Sequence, residues 1–152
     1  SSDVCSSDLA HLRETGDAAV NELAGRLRVG VHQGVEVTDG PSSPGPRVTQ
    51  VFCSALPVAY GRWPQPLWQV FAQLILDAAY EATLLAGVLN SRQGGSNIVL
   101  LTLLGGGAFG NASEWIHTAI QRALDKTQVH GLDVRMVSYG QPSAQLQALV
   151  EL

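Results

Sequence analysis

A chain of 152 residues has the length of one ordinary domain. Its 45% hydrophobic and 14% charged residues supply a core and leave too few charges for a coiled coil or a disordered polymer. Nine basic against thirteen acidic residues give a net charge of −4, without the basic footprint expected of a nucleic-acid binder.

Residues 1–9 (SSDVCSSDL) resemble a translated sequencing adapter and are read as non-native, so the native chain is expected to extend upstream of residue 10; the alternative is a genuine polar arm. The opening residues show no basic start followed by an apolar core, so no secretory signal is read there. Residues 10–27 then place Leu12, Ala19, Val20, Leu23, Ala24 and Leu27 at helical spacing. Residues 28–38 alternate, with Val29, Val31, Val35 and Val37 apolar, and predict a strand weakened by Gly30 and Gly34. A Pro- and Gly-rich loop (DGPSSPGPR, 39–47) leads to a second strand over 48–56 that stops before Pro57.

After an entry loop at 61–66, residues 67–90 predict the longest helix. Its polar positions Gln69, Gln73, Asp77 and Glu81 fall four apart and are read as a solvated stripe on a largely covered helix. A polar turn (SRQGGSN, 91–97) precedes IVLLTLL (98–104), which is read as a central parallel strand buried on both faces. This is the longest apolar run, far short of the ~20 residues of a membrane span. A helix follows over 112–126, then a strand over 132–139 (LDVRMVSY), a stop at Gly140 to Pro142, and a last helical turn or two over 144–152. The alternation of strand and helix predicts one α/β domain with a parallel sheet.

The most informative segment lies between the apolar strand and the next helix: Gly105-Gly106-Gly107-Ala108-Phe109-Gly110-Asn111. Asn111 is read as the helix N-cap, with Glu114 as its capping-box partner. Glycines at a strand-to-helix turn bring backbone N–H groups close to a ligand, and the helix N-terminus favours an anion, so the turn is read as a phosphate site. No Lys-Ser or Lys-Thr follows, so it is not a P-loop. Gly105, Gly107 and Gly110 fit G-x-G-x-x-G, but no acidic residue closes a second strand about 20 residues on, and Asp133 opens a strand instead. The competing reading is a tight turn used only for packing, for which two glycines suffice. Glu114 counts mildly against an anion, since it competes for the same helix dipole.

In their order, LDAAYEATLLA (76–86), the apolar strand, the loop Gly105 to Asn111, the helix and VRMVSY (134–139) resemble the C-terminal half of a macro domain, over about residues 48–139. The resemblance implies a three-layer α/β/α sandwich with a mostly parallel or mixed sheet, and ADP-ribose or an NAD-derived nucleotide as ligand. It implies that Gly105, Gly106, Gly107, Ala108 and Gly110 wrap the diphosphate, that Phe109 packs near the ribose, and that Tyr139 lies close to the ligand. Two features depart from the family: the loop opens Gly-Gly-Gly where Ser-Thr-Gly is commoner, and Asn111 stands where an aromatic is common. Nothing over residues 10–61 matches the family's adenine-recognising acidic residue, Asn-rich segment or first glycine loop.

The resulting expectation is a recognition module for free ADP-ribose or an ADP-ribosylated protein, with no resident cofactor, metal, nucleic-acid or membrane partner. The alternatives are an ADP-ribosyl hydrolase whose catalytic segment lies upstream, and a purely structural turn. Cys5 and Cys53 form one pair at most, and His11, His32, His117 and His130 lie at no zinc-ligand spacing from them, so a reduced, cytoplasmic setting is expected. Cys53 is read as a small buried hydrophobe, Tyr80 as a core residue whose hydroxyl finds a partner, and Trp63, Trp68 and Trp115 as packing at loop and helix ends. His117 lies one turn too deep in its helix to reach a phosphate.

Overall fold

The computed structural model describes residues 16–138 continuously, together with residues 11, 14, 140, 141, 144, 146 and 147. Helix α1 (Asp17–Arg26) precedes strands β1 (Gly30–Glu36) and β2 (Arg47–Phe52). A single 3-10 turn (Val58–Tyr60) leads to helix α2 (Gln65–Arg92), strand β3 (Ile98–Leu101), helix α3 (Ser113–Thr127), a second 3-10 turn (Gln128–His130) and strand β4 (Asp133–Met136). The class is mixed α/β. The expected helix over 144–152 and the start of the one over 10–27 fall largely outside the described residues.

Two small sheets carry the strands. β3 and β4 pair in parallel, with Ile98 opposite Asp133 and Leu101 opposite Met136, and α3 makes the crossover between them. β1 and β2, in contrast, form an antiparallel hairpin, with Gly30 opposite Phe52. They therefore do not join a parallel sheet as the strand–helix alternation suggested. Gly34, at φ +65°, lies at a register irregularity between His32 and Val35, so this glycine bends the strand.

The core is built by α2 and α3 against one face of β3. Leu76 and Leu84 of α2, Ile116 and Ile120 of α3, and Leu101 of β3 are buried together with Ala55 and Val58. Gly87 allows the helix–sheet approach: a Cβ there would stand 2.5 Å from Val99 Cγ2. β3 differs from its expected form. Its side chains alternate between buried and exposed, and Leu100 is 64% exposed. Pairing ends at Leu101, and among the described residues the second face of β3 has no covering helix.

The polar stripe on α2 faces water at Gln69 but is covered from Gln73 to Glu81. It forms a seam with α3, where Arg122 Nη1 lies 3.0 Å from Asp77 Oδ2 and Lys126 Nζ lies 2.5 Å from Glu81 Oε2. Gln73 Nε2 donates to Asp77 Oδ1 at 2.7 Å and to the Trp115 carbonyl at 3.1 Å. Arg122 also bonds Asn21, which ties α1 to the pair. A four-residue period marks one helix face, but a solvent face and a polar interhelical face share that period. α2 is long and apolar enough to cross a membrane, yet half of its most apolar window is buried inside the protein.

Candidate functional site

The glycine loop is anchored before it begins. Tyr80, buried on α2, donates its hydroxyl hydrogen to the Thr102 carbonyl at 2.8 Å and accepts from the Leu104 N–H at 2.8 Å. Both partners lie beyond the paired part of β3, so this hydroxyl replaces a ladder where the ladder has ended. The expected partner for Tyr80 is thus the backbone of the loop's own entrance. Burial pushes the Tyr80 hydroxyl up to about 12, which keeps it protonated and able to donate at neutral pH.

The loop then closes on itself. The Asn111 N–H donates to the Gly105 carbonyl, the Gly106 N–H to Leu103 and the Gly110 N–H to Gly107. The Ala59 N–H donates to the Phe109 carbonyl at 2.9 Å, and Gln65 Nε2 to the Gly110 carbonyl at 3.0 Å, so residues 59–65 brace the loop's far side. Of the loop's N–H groups, those of Gly105, Gly107, Ala108 and Phe109 have no hydrogen-bond acceptor among the described residues, and the last three are consecutive. Gly107 and Ala108 are exposed. Three consecutive free donors ahead of a fifteen-residue helix make a concentration of positive partial charge.

The four glycines are not equivalent. Gly105 and Gly110 adopt φ +78° and +70°, where a side chain is strained. A Cβ on Gly105 would run into Ala55 and Asn111, and one on Gly110 would come within 2.8 Å of Ala59. Gly106 is tight against Ile116, at 3.2 Å. Packing therefore accounts for three glycines, one more than a tight turn was expected to need. Gly107 has an ordinary φ and nothing within 4 Å of its would-be Cβ, so neither packing nor backbone conformation requires a glycine there.

Asn111 does not cap the helix. Ala112 occupies the N-cap position and no side chain bonds there, so the capping box with Glu114 is not formed. Asn111 instead turns inward, and Nδ2 donates to the Leu56 carbonyl at 2.8 Å and to Gly105 at 3.3 Å. It is only 5% exposed, and its Oδ1 has no partner among the described residues. One amide cannot both bridge the segment at Leu56 to the loop and reach the first helical N–H groups, and the bridge prevails.

Of the residues singled out in the sequence, Gly105, Gly106, Gly107, Ala108, Phe109, Gly110 and Asn111 form one compact loop. Tyr139 lies outside the described residues. The sequence reading missed Tyr60 and Gln65. Tyr60 meets Phe109 edge to face, with ring centroids 6.2 Å apart, across a gap of about fifty residues that no local motif bridges. Cys53 is half-buried, with Thr83 Oγ1 at 3.9 Å from its sulfur. Trp68 Nε1 donates to the Trp63 carbonyl, and Trp115 is buried at the start of α3. Asp77 and Glu81 each hold a cation of α3, an interhelical role. Among the described residues no group of three His, Cys, Asp or Glu side chains converges as metal ligands would.

A cavity of about 600 Å³ lies elsewhere, between β2 and β3 above α2. Its polar lining is largely bonded to itself: Thr49 donates to Asn90 Oδ1, and Asn90 Nδ2 donates to the Ser96 carbonyl. It runs from Ser96 along Ile98, Val99 and Leu100 of β3, whereas the glycine loop follows the C-terminal end of the strand, where α/β folds place their ligands. The chain matches no family model, no curated protein and no solved structure.

Proposed function

We propose that this chain is a recognition module that binds ADP-ribose or a related NAD-derived nucleotide, free or attached to a protein, by seating the diphosphate on the loop from Gly105 to Asn111. The observation that carries the proposal is Gly107. Among the described residues it is the one loop glycine that neither packing nor backbone conformation requires, and it adjoins backbone N–H groups that no protein acceptor takes. A ligand approaching closer than a Cβ permits explains both facts. The parallel β3–α3–β4 unit, with the loop at the C-terminal end of β3, supports the macro-like reading; the three-layer sandwich proposed with it needs a further layer over the open face of β3.

The second reading, a turn used only for packing, draws on the three glycines that packing does explain. Calorimetric titration with ADP-ribose, and with AMP and NAD as controls, separates the two. Micromolar binding of ADP-ribose that Gly107→Val abolishes, with the fold retained, is the expected result. Unchanged affinity in Gly107→Val sinks the loop assignment, and no heat from any of the three on a folded protein leaves the turn as architecture.

A further inference from the structure

We infer that Tyr60 is a stacking platform at the edge of the glycine loop, and that the ligand taken there carries a planar heteroaromatic ring as well as its phosphate. The inference rests on the loop being the anion site proposed above. It adds to that reading the residue that receives the nucleotide's base.

The first observation is exposure. Tyr60 is 70% exposed, although a large aromatic ring normally gains by burial. Its one ring neighbour among the described residues, Phe109, approaches at an interplanar angle of 76°. That edge-to-face contact steadies the ring, while its exposure leaves most of its surface open.

The second observation is how firmly the ring is displayed. The Val58 N–H donates to Leu56, the Tyr60 N–H to Pro57 and the Gly61 N–H to Val58, which closes the short turn on itself. Gly61 sits against the Trp68 ring, where a Cβ would lie 2.7 Å from Cζ2. The bonds from Ala59 to Phe109 and from Gln65 to Gly110 fix the turn to the loop on either side of Tyr60. An exposed aromatic on a loose loop would be unremarked. This one is braced beside Phe109, whose N–H ends the run of free donors. A phosphate held by the N–H groups of 107–109 leaves an attached ring next to Tyr60, where stacking on the open face recovers the missing burial.

The test compares AMP with ribose 5-phosphate, which shares the phosphate and ribose but lacks the ring, by calorimetry on the full chain. Wild type is expected to prefer AMP by roughly ten-fold or more, the range of a single base-on-aromatic stack. Tyr60→Ala should bind both within about two-fold of each other, while Tyr60→Phe, which keeps the ring, retains the preference. Because Tyr60 is exposed, circular dichroism should show both variants folded. If Tyr60→Ala keeps the wild-type preference, or if wild type shows none, the stacking role is overturned, while loss of ADP-ribose binding in Gly107→Val leaves the loop reading in place. If wild type binds neither these probes nor inorganic pyrophosphate, both readings fall.

Discussion

The hydroxyl of Tyr80 accepts the N–H of Leu104 at 2.8 Å, two residues after it has donated to the carbonyl of Thr102. One buried side chain on a helix thereby holds the chain as it passes from strand to loop, twenty-four residues away along the sequence. The loop's shape depends on that helix as much as on its own glycines.

Tyr80→Phe removes one of the two acceptors of the half-buried Leu104 N–H, which keeps the Thr102 carbonyl at 2.9 Å, and takes a donor away from that carbonyl. It should cost about 0.5–1.5 kcal/mol in urea unfolding, the range for a lost hydrogen bond whose donor keeps another acceptor. The variant also tests linkage. The folded hydroxyl titrates at about 12 against an ordinary 10, so between these values the unfolded chain sheds a proton that the native state keeps. Wild-type stability should therefore fall as pH rises from 10 towards 12, by an amount on the order of 2 kcal/mol, and this fall should be absent in Tyr80→Phe.

The glycines sort into two groups under the same assay. Gly105→Ala places a methyl against Ala55 and Asn111 at φ +78°, and should lose about 2 kcal/mol or more. Gly107→Ala meets nothing and should lie within about 1 kcal/mol of wild type, on either side. Equal losses at the two positions would show that Gly107 has a packing role.

Asp77 gives a prediction at acid pH. Burial raises its carboxyl above the usual value, against the pull of the Gln73 hydrogen bond, Arg122 and Lys126, with Glu81 adding a smaller push upward. The native state therefore takes up this proton before the unfolded chain does, and the charged form carries a penalty that vanishes as pH falls. In Asp77→Asn that dependence is removed. The stability of wild type relative to the variant should improve as pH is lowered from 7 towards 4, measured by urea unfolding at each pH. A relative stability that declines over that interval would reverse the sign assigned to burial.

Much of this was legible in the sequence, because local signals carried it. The apolar spacing of α2, the turn at Gly94 and Gly95, and the strand–glycine–helix order around Gly105 are set by neighbours in the chain. What escaped depends on partners far away. The stripe from Gln69 to Glu81 has one period whether it meets water or α3, and only Arg122 and Lys126, placed there by the fold, decide between them. Asn111 has the residue type and position of a cap, but Leu56 competes for its amide from the other end of the domain. Residues 98–104 read as a doubly buried strand because Ile98 and Leu100 are as apolar as Val99 and Leu101, and composition does not tell a covered face from a bare one.

That bare face predicts a further outcome. Leu100→Thr should change stability by no more than about 0.5 kcal/mol and reduce self-association, since an exposed Leu on an open strand invites edge and face contacts. Leu101→Thr, on the buried face, should be destabilising by 2 kcal/mol or so. Urea unfolding and analytical ultracentrifugation of the pair distinguish the two faces.

The central claim is that the free amides of Gly107, Ala108 and Phe109 receive the ligand's phosphate, and amide-resolved NMR during titration with ADP-ribose reads it directly. The account predicts that the largest saturating shifts fall on these three N–H signals, with smaller ones on Gly110 and Tyr60. Shifts that instead cluster at Thr49, Asn90 and Leu100, or no shifts at all in a folded protein, would contradict it.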